Sequence, residues 1–239
     1  MATPYQFQCD YITGCTPQIM DALLRHNLTE VPGYCEDMFC KEAQAKIREA
    51  CKCPDAGVFF FAGGTICNLS LISAVLRPWQ GVLAAPSGHI AAHETGAIEA
   101  TGHKVCVETS PDGKVTPAMV EAVLARHDGT EHMVSPKMVY ISDTTEIGTV
   151  YTKAELTALR DCCKKHELYF YIDGARLGTA LTWPGNDVEL TDRAELADAL
   201  YIGGTKLGAL FGEALVILDD RINDHFRYMV KRACALLAK

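Results

Sequence analysis

Tyr169-Phe170-Tyr171-Ile172-Asp173-Gly174-Ala175-Arg176 is the stretch on which the reading of this 239-residue chain turns. Four consecutive aromatic or β-branched residues have the length and composition of a strand buried on both faces. Asp173 follows at the end of that strand, and Arg176 lies just beyond it. A carboxylate so placed can pair with a protonated ring nitrogen, and a guanidinium can clamp a carboxylate in its fork. The plainer alternative is an Asp173 that caps a turn and an Arg176 in a surface ion pair.

Outward from this strand the same pattern recurs. Val58 to Phe61, Val82 to Ala85, Lys104 to Val107, Met138 to Ile141, Leu200 to Ile202 and Ala214 to Leu218 read as further strands. Helical patterns lie between most of them, over Asn68 to Leu76, Ile90 to Thr101, Pro117 to Arg126 and Lys153 to His166. Thr116 is the expected N-cap of the third, with Pro117 at its first helical position. Strand and helix in alternation predict a three-layer α/β/α fold with a mostly parallel central sheet, whose ligands bind at the carboxyl ends of the strands.

Before Val58 the pattern changes to a helix near Pro17 to Asn27, a Pro32-Gly33 turn and a helix near Met38 to Cys51. The expected organisation is an N-terminal arm with helices over 1–55 and a ligand-binding large domain over 56–239. A final helix is expected over Asp220 to Leu237, its apolar positions asking for a partner surface.

Composition narrows the function classes. The net charge of −8 is spread without blocks, which argues against nucleic acid as a partner. Met1 to Asp10 lacks the basic start and apolar run of a leader, and no window reaches the roughly 18 apolar residues of a membrane span. Eleven cysteines, an odd number with no C-x-x-C pair, suit reduced thiols and a cytoplasmic location.

Three more features fall where this fold places ligands. Gly63-Gly64-Thr65 follows the first core strand and opens a helix, so backbone N–H groups and the Thr65 hydroxyl can hold a phosphate; an ordinary glycine turn is the alternative. Lys206, in Gly203-Gly204-Thr205-Lys206, follows another strand among small neighbours that permit a desolvated, nucleophilic amine. A phosphate P-loop is excluded because Leu207 follows the lysine. His89 and His93 have the i, i+4 spacing of two zinc ligands, but Ile90 stands where the metalloprotease motif has its glutamate, so no metal is expected. A flat imidazole at His89 could instead stack on an aromatic cofactor.

Taken in order, Gly64-Thr65, His89, Asp173 and Lys206 resemble pyridoxal-phosphate enzymes of the aspartate-aminotransferase fold, fold type I. Within it, Asp173-Gly174-Ala175-Arg176 and Gly64-Thr65-Ile66-Cys67-Asn68 are similar to the threonine aldolase family of the β-eliminating lyase group, and the similarity runs from Asp10 to about Leu218. The resemblance implies pyridoxal 5'-phosphate held as a Schiff base on Lys206. Asp173 would meet the pyridine nitrogen. Gly63, Gly64, Thr65, Asn68, Arg176 and Thr205 complete the cofactor's surroundings, and His89 stacks on the ring. It further implies that Asp10, Tyr34 and Arg176 contact an amino-acid substrate, and that His132 is a second catalytic histidine beside His89. Departures are Cys9 for the family's serine, Tyr34-Cys35 for its Tyr-Gly pair and Ser142-Asp143-Thr144-Thr145 for its Glu-Asn-Thr-His segment. Family chains continue into a smaller C-terminal domain for which this chain has no room.

The implied reaction is cleavage of a β-hydroxy amino acid, threonine or its allo form, to glycine and an aldehyde, in a homodimer or homotetramer. The rivals are β-elimination or transamination on the same scaffold, and a catalytically incomplete cofactor-binding module. A nicotinamide site is excluded because Gly63 to Asn68 does not supply G-x-G-x-x-G.

Overall fold

The computed structural model describes residues 5–238. Its centre is a seven-stranded sheet, with β1 (Gly57–Phe61), β2 (Gln80–Ala84), β3 (Lys104–Val107), β4 (Ser135–Ser142), β5 (Tyr169–Gly174), β6 (Ala199–Gly203) and β7 (Glu213–Ile217). The order across the sheet is β1-β7-β6-β5-β4-β2-β3. All pairings are parallel except those of β7, which runs antiparallel to both β1 and β6. Every expected strand forms, and the β5 segment lies centrally between β4 and β6.

Side-chain alternation divides each strand between two cores. Phe170 and Ile172 of β5 join Val139 and Ile141 of β4, Leu200 of β6 and Val216 of β7 on one face. Tyr171, with Met138, Tyr140, Tyr201 and Leu215, points to the other. The first face is covered by α2 (Met38–Cys51), α5 (Pro117–Arg126), α6 (Lys153–Lys165) and α8 (Leu190–Leu196). The second is covered by α3 (Gly64–Val75) and α10 (Phe226–Arg232). A period of two with both faces apolar is what a three-layer sheet demands. Each fully buried Leu, Ile or Phe here contributes about 1.5–3 kcal/mol.

Helix starts follow their caps. Thr116 accepts from the Met119 N–H ahead of Pro117, and Thr152 with Glu155 closes a capping box at the start of α6. Two expected helices are interrupted. The one over 90–101 is only α4 (His89–Ala92), followed by a reversal at Thr95 and Gly96, both at positive φ, and a single 3₁₀ turn at Glu99–Thr101. The terminal one divides into α9 (Asp220–Asn223) and α10, with His225 at positive φ between them. Two short helices without a sequence expectation, α7 (Leu177–Thr182) and α8, flank the β5–β6 crossover.

The N-terminal region behaves as two pieces. α2 packs on β1 and α8, and Cys51 enters the first core. α1 (Pro17–His26) buries none of its residues. Ile19, Leu23, Leu24 and Leu28 stand exposed, Leu28 to 90%.

Candidate active site

The carboxyl ends of β1, β2, β4, β5 and β6 meet the amino end of the reversed β7 along one edge, and a cavity opens there. Its walls carry Gly63, Gly64, Thr65, Asn68, His89, Glu146, Asp173, Arg176, Thr205 and Lys206. Four sequence segments, at the ends of β1, β2, β5 and β6, thus deliver expected residues to one place because parallel strands share a carboxyl edge.

β1 leads into Gly63, the N-cap of α3. The first N–H of that helix region to find a backbone partner is Cys67, bonded to the Gly63 carbonyl at 3.3 Å. The N–H groups of Gly64, Thr65 and Ile66 therefore form the open positive end of a 12-residue helix with no acidic residue in its first turn. Gly64 has a packing requirement as well: a Cβ there would lie 2.9 Å from the Tyr201 hydroxyl oxygen.

Asp173 is 3% exposed and is held by three donors. Oδ2 accepts from the Tyr140 hydroxyl at 2.6 Å and from Asn68 Nδ2 at 3.1 Å, while Oδ1 accepts from the Ala175 N–H at 2.9 Å. Burial, then the charge of Asp173, pushes the Tyr140 phenol well above its ordinary value, so it stays a donor. One lone pair of Oδ1 is left for an outside donor such as a pyridinium N–H.

Asn68 is also the junction to a second carboxylate. Its Nδ2 donates to Glu94 Oε1 at 2.8 Å, and its Oδ1 accepts from the Tyr171 hydroxyl at 2.7 Å. The same Glu94 oxygen lies 2.7 Å from His89 Nδ1. This hydrogen bond outweighs partial burial and raises the His89 pKa. Behind the histidine, Glu146 Oε1 accepts from the His89 backbone N–H at 2.8 Å and the Ser142 hydroxyl at 2.6 Å, and Oε2 is buried without a partner. Burial raises the Glu146 pKa.

Lys206 sits in a 3₁₀ turn, Thr205–Leu207, directly after β6. Glu213 at the start of β7 anchors that turn, accepting from the Gly204 N–H at 2.8 Å and the Thr205 hydroxyl at 2.6 Å. The Thr205 hydroxyl also accepts from the Gly212 N–H at 3.1 Å, so its proton and one lone pair are used inside the loop. A Cβ on Gly203 would fall 2.3 Å from the Ala175 carbonyl oxygen, which fixes the lysine loop tightly against the turn after Asp173. Lys206 Nζ stands 5.9 Å from the centre of the Tyr11 ring.

Arg176 reaches the cavity with Asp10 bound along one side of its guanidinium. Two expected residues are not brought here. His132 lies in the loop before β4, at the amino end of that strand and so at the opposite edge of the sheet, with its side chain 84% exposed and Glu131 4.0 Å away. Tyr34 lies in a separate groove, where its carbonyl accepts from Arg227 Nη2 at 2.8 Å and its ring faces Lys231 Nζ at 4.7 Å. In this chain neither touches the cavity.

Sequence reasoning missed Tyr11, Glu94, Glu146, Tyr201 and Glu213. Glu146 was findable: it is the first acidic residue after β4 apart from Asp143, which is buried against Arg193 of α8. Glu213 was findable only once β7 was known to run antiparallel, because that reversal brings its first residue to the carboxyl edge.

A family model described as Beta-eliminating lyase matches residues 6–238. A low specificity L-threonine aldolase from Pseudomonas sp. (strain NCIMB 10558) is 33% identical over 238 residues, spanning 98% of this chain and 68% of that protein. Its counterpart from Pseudomonas aeruginosa is 30% identical over the same shares of the two chains. Among solved structures, Leishmania major threonine aldolase superposes with a TM-score of 0.97 at 50% identity, over 99% of this chain and 69% of that one. Thermus thermophilus aspartate aminotransferase, at 16% identity and a TM-score of 0.74, covers 95% of this chain and 60% of its own and shares the fold alone.

Proposed function

Because this chain belongs to the β-eliminating lyase family, we propose that it cleaves a β-hydroxy amino acid, threonine or allo-threonine, to glycine and an aldehyde with pyridoxal phosphate bound in the cavity. The family and fold are those of pyridoxal-phosphate enzymes. The observation that carries the reading is the placement of Asp173 at the carboxyl end of β5 and of Lys206 just beyond its paired neighbour β6, with the open end of α3 on the same cavity.

The cavity fits the cofactor by its donor set. The α3 N–H groups and Thr65 offer donors to a phosphate, and the remaining Asp173 lone pair accepts from a ring N–H. The Lys206 amine is the nucleophile for an aldehyde. When bound there, pyridoxal phosphate supplies an electron sink for a bond breaking at the α-carbon of the amino acid.

The chain's own residues do the rest. Arg176 holds the substrate carboxylate by the donors that Asp10 leaves open. His89, with Nδ1 committed to Glu94, accepts the β-hydroxyl proton at Nε2. Glu146 backs the histidine from the β4–α6 loop. Thr205 acts mainly by shaping the lysine turn.

We also place the protein in the cytoplasm, which its free thiols among the described residues support. No helix among the described residues is long and apolar enough to cross a membrane. The bare apolar side of α1 supports assembly into a homodimer or homotetramer, which light scattering would test; a fully active monomer would count against it.

The deciding experiment is borohydride reduction of the cofactor-loaded chain with peptide mapping, followed by product analysis from threonine and serine. The pyridoxyl group on Lys206 with acetaldehyde and glycine from threonine is the expected result. Pyruvate from serine without acetaldehyde would assign β-elimination, and no product from either would assign an incomplete module.

A further inference from the structure

The end of α4 at Ala92, with His93 leaving the helical conformation, puts Glu94 where a continuous helix could not. Residues five apart on a helix are separated by about 140° around its axis and face different sides. Here the helix stops after Ala92, Thr95 (φ 53°) and Gly96 (φ 72°) turn the chain back, and the Glu94 carboxylate lies 2.7 Å from His89 Nδ1. A β-branched residue in the left-handed region is disfavoured, and such strain persists where the surroundings impose it. The Glu94 side chain is 0% exposed. Its Oε1 takes both hydrogen bonds, from Asn68 and with His89, and its Oε2 is buried without a partner.

From this geometry we propose that Glu94 is a positioning residue, which fixes the His89 ring with Nδ1–H on the carboxylate and the Nε2 lone pair free, and which Asn68 ties to Asp173. The inference rests on the reading of His89 as the proton acceptor given above. The Asn68 amide has one usable orientation, because both Nδ2 protons go to carboxylates and Oδ1 accepts from Tyr171. Turning it over would set an amide oxygen against two carboxylates. The group that orients the histidine and the group that meets the cofactor nitrogen are therefore held by a single buried side chain.

The charges facing His89 come from several elements. Glu94 dominates and raises its pKa; Asp173 at the end of β5 acts in the same direction and Lys206 beyond β6 opposes. Glu146 from the β4–α6 loop holds its backbone N–H, and the His93 ring is 5.7 Å away. An anionic carboxylate on Nδ1 both selects the tautomer and stabilises the imidazolium formed when Nε2 takes a proton, which then passes on to solvent or product.

Glu94→Gln keeps the shape but offers a neutral amide that can donate or accept, so the tautomer is no longer selected. Two measurements on the cofactor-loaded chain test this: histidine ring NMR on ¹⁵N-histidine-labelled protein, with His89 assigned by His89→Asn, and the pH profile of kcat/KM on threonine. Expected in Glu94→Gln are a lower His89 pKa, a mixture of tautomers, an acid limb moved to lower pH and a fall in kcat on the order of 10–100-fold. Glu94→Asp should recover part of each. An unchanged His89 pKa and tautomer in Glu94→Gln would overturn the proposal, even if the variant were less stable or less active. If instead no pyridoxyl group is found on Lys206 and no aldehyde forms, the functional reading fails, while the NMR result still judges Glu94.

Discussion

Asp10 and Arg176, 166 residues apart in sequence, meet side-on: Arg176 Nε donates to Oδ2 at 2.5 Å and Nη2 to Oδ1 at 3.2 Å. Partial burial works against the Asp10 anion, but the hydrogen bond and charge of Arg176 hold its pKa below the ordinary value. The pairing occupies one edge of the guanidinium and leaves the Nη1 edge for an incoming carboxylate.

Asp10 is therefore expected to orient Arg176 for substrate. Because both side chains are about a third exposed, the pair is worth at most about 1 kcal/mol. In Asp10→Ala, KM for threonine should rise about two- to fivefold with kcat nearly unchanged. Steady-state kinetics would check this, and a lower KM would show that Asp10 competes with the substrate.

Asp173→Asn removes the anion at the end of β5 and leaves one acceptor oxygen for the Ala175 N–H, with its NH2 turned to the Tyr140 oxygen. Turnover should fall on the order of 10²–10³-fold, the usual loss of one preorganised electrostatic partner, with cofactor still visible in the absorbance spectrum. Near-normal turnover would remove the assignment of Asp173 to the ring nitrogen.

Burial raises the Glu146 pKa above its unfolded value of 4.5. The native state then holds the proton more tightly than the unfolded state. Its contribution to stability is fully present below pH 4.5 and is lost as pH rises through the raised native pKa. Urea unfolding of wild type and Glu146→Gln across that window should show the decline with pH reduced in the variant. Parallel curves would mean that Glu146 titrates normally.

Arg193 of α8 and Asp143 beyond β4 form an ion pair in which both side chains are 0% exposed. Burial raises the Asp143 pKa and Arg193 opposes that shift. Arg193→Met leaves a buried carboxyl without its counter-charge and should cost about 3–5 kcal/mol in urea unfolding. Because α8 packs beside α6 on the covered face, the loss should appear first in stability and only secondarily in KM.

The sequence by itself determined the sheet and several of the positions that line the cavity at its carboxyl edge. Seven apolar runs became seven strands, because the interior strands are buried on both faces and carry mainly apolar residues along their length. Gly63 to Thr65, Asp173 and Lys206 were legible for a local reason: each ends or closely follows its own strand, and parallel strands put their carboxyl ends together.

What only the tertiary structure decided depends on chain direction and reversal. His132 and Glu146 both flank β4, but the first precedes the strand and the second follows it, so the sheet puts them at opposite edges. Glu213 reaches the site because β7 runs backward, and Tyr34 is drawn to Arg227 and Lys231 instead of to the cavity. Glu94 was hidden inside what reads as a continuous helix. Its meeting with His89 and Asn68 follows from the helix ending at Ala92, three residues after His89, and is held by a hydrogen bond to Asn68, distant in sequence, of which local periodicity carries no trace.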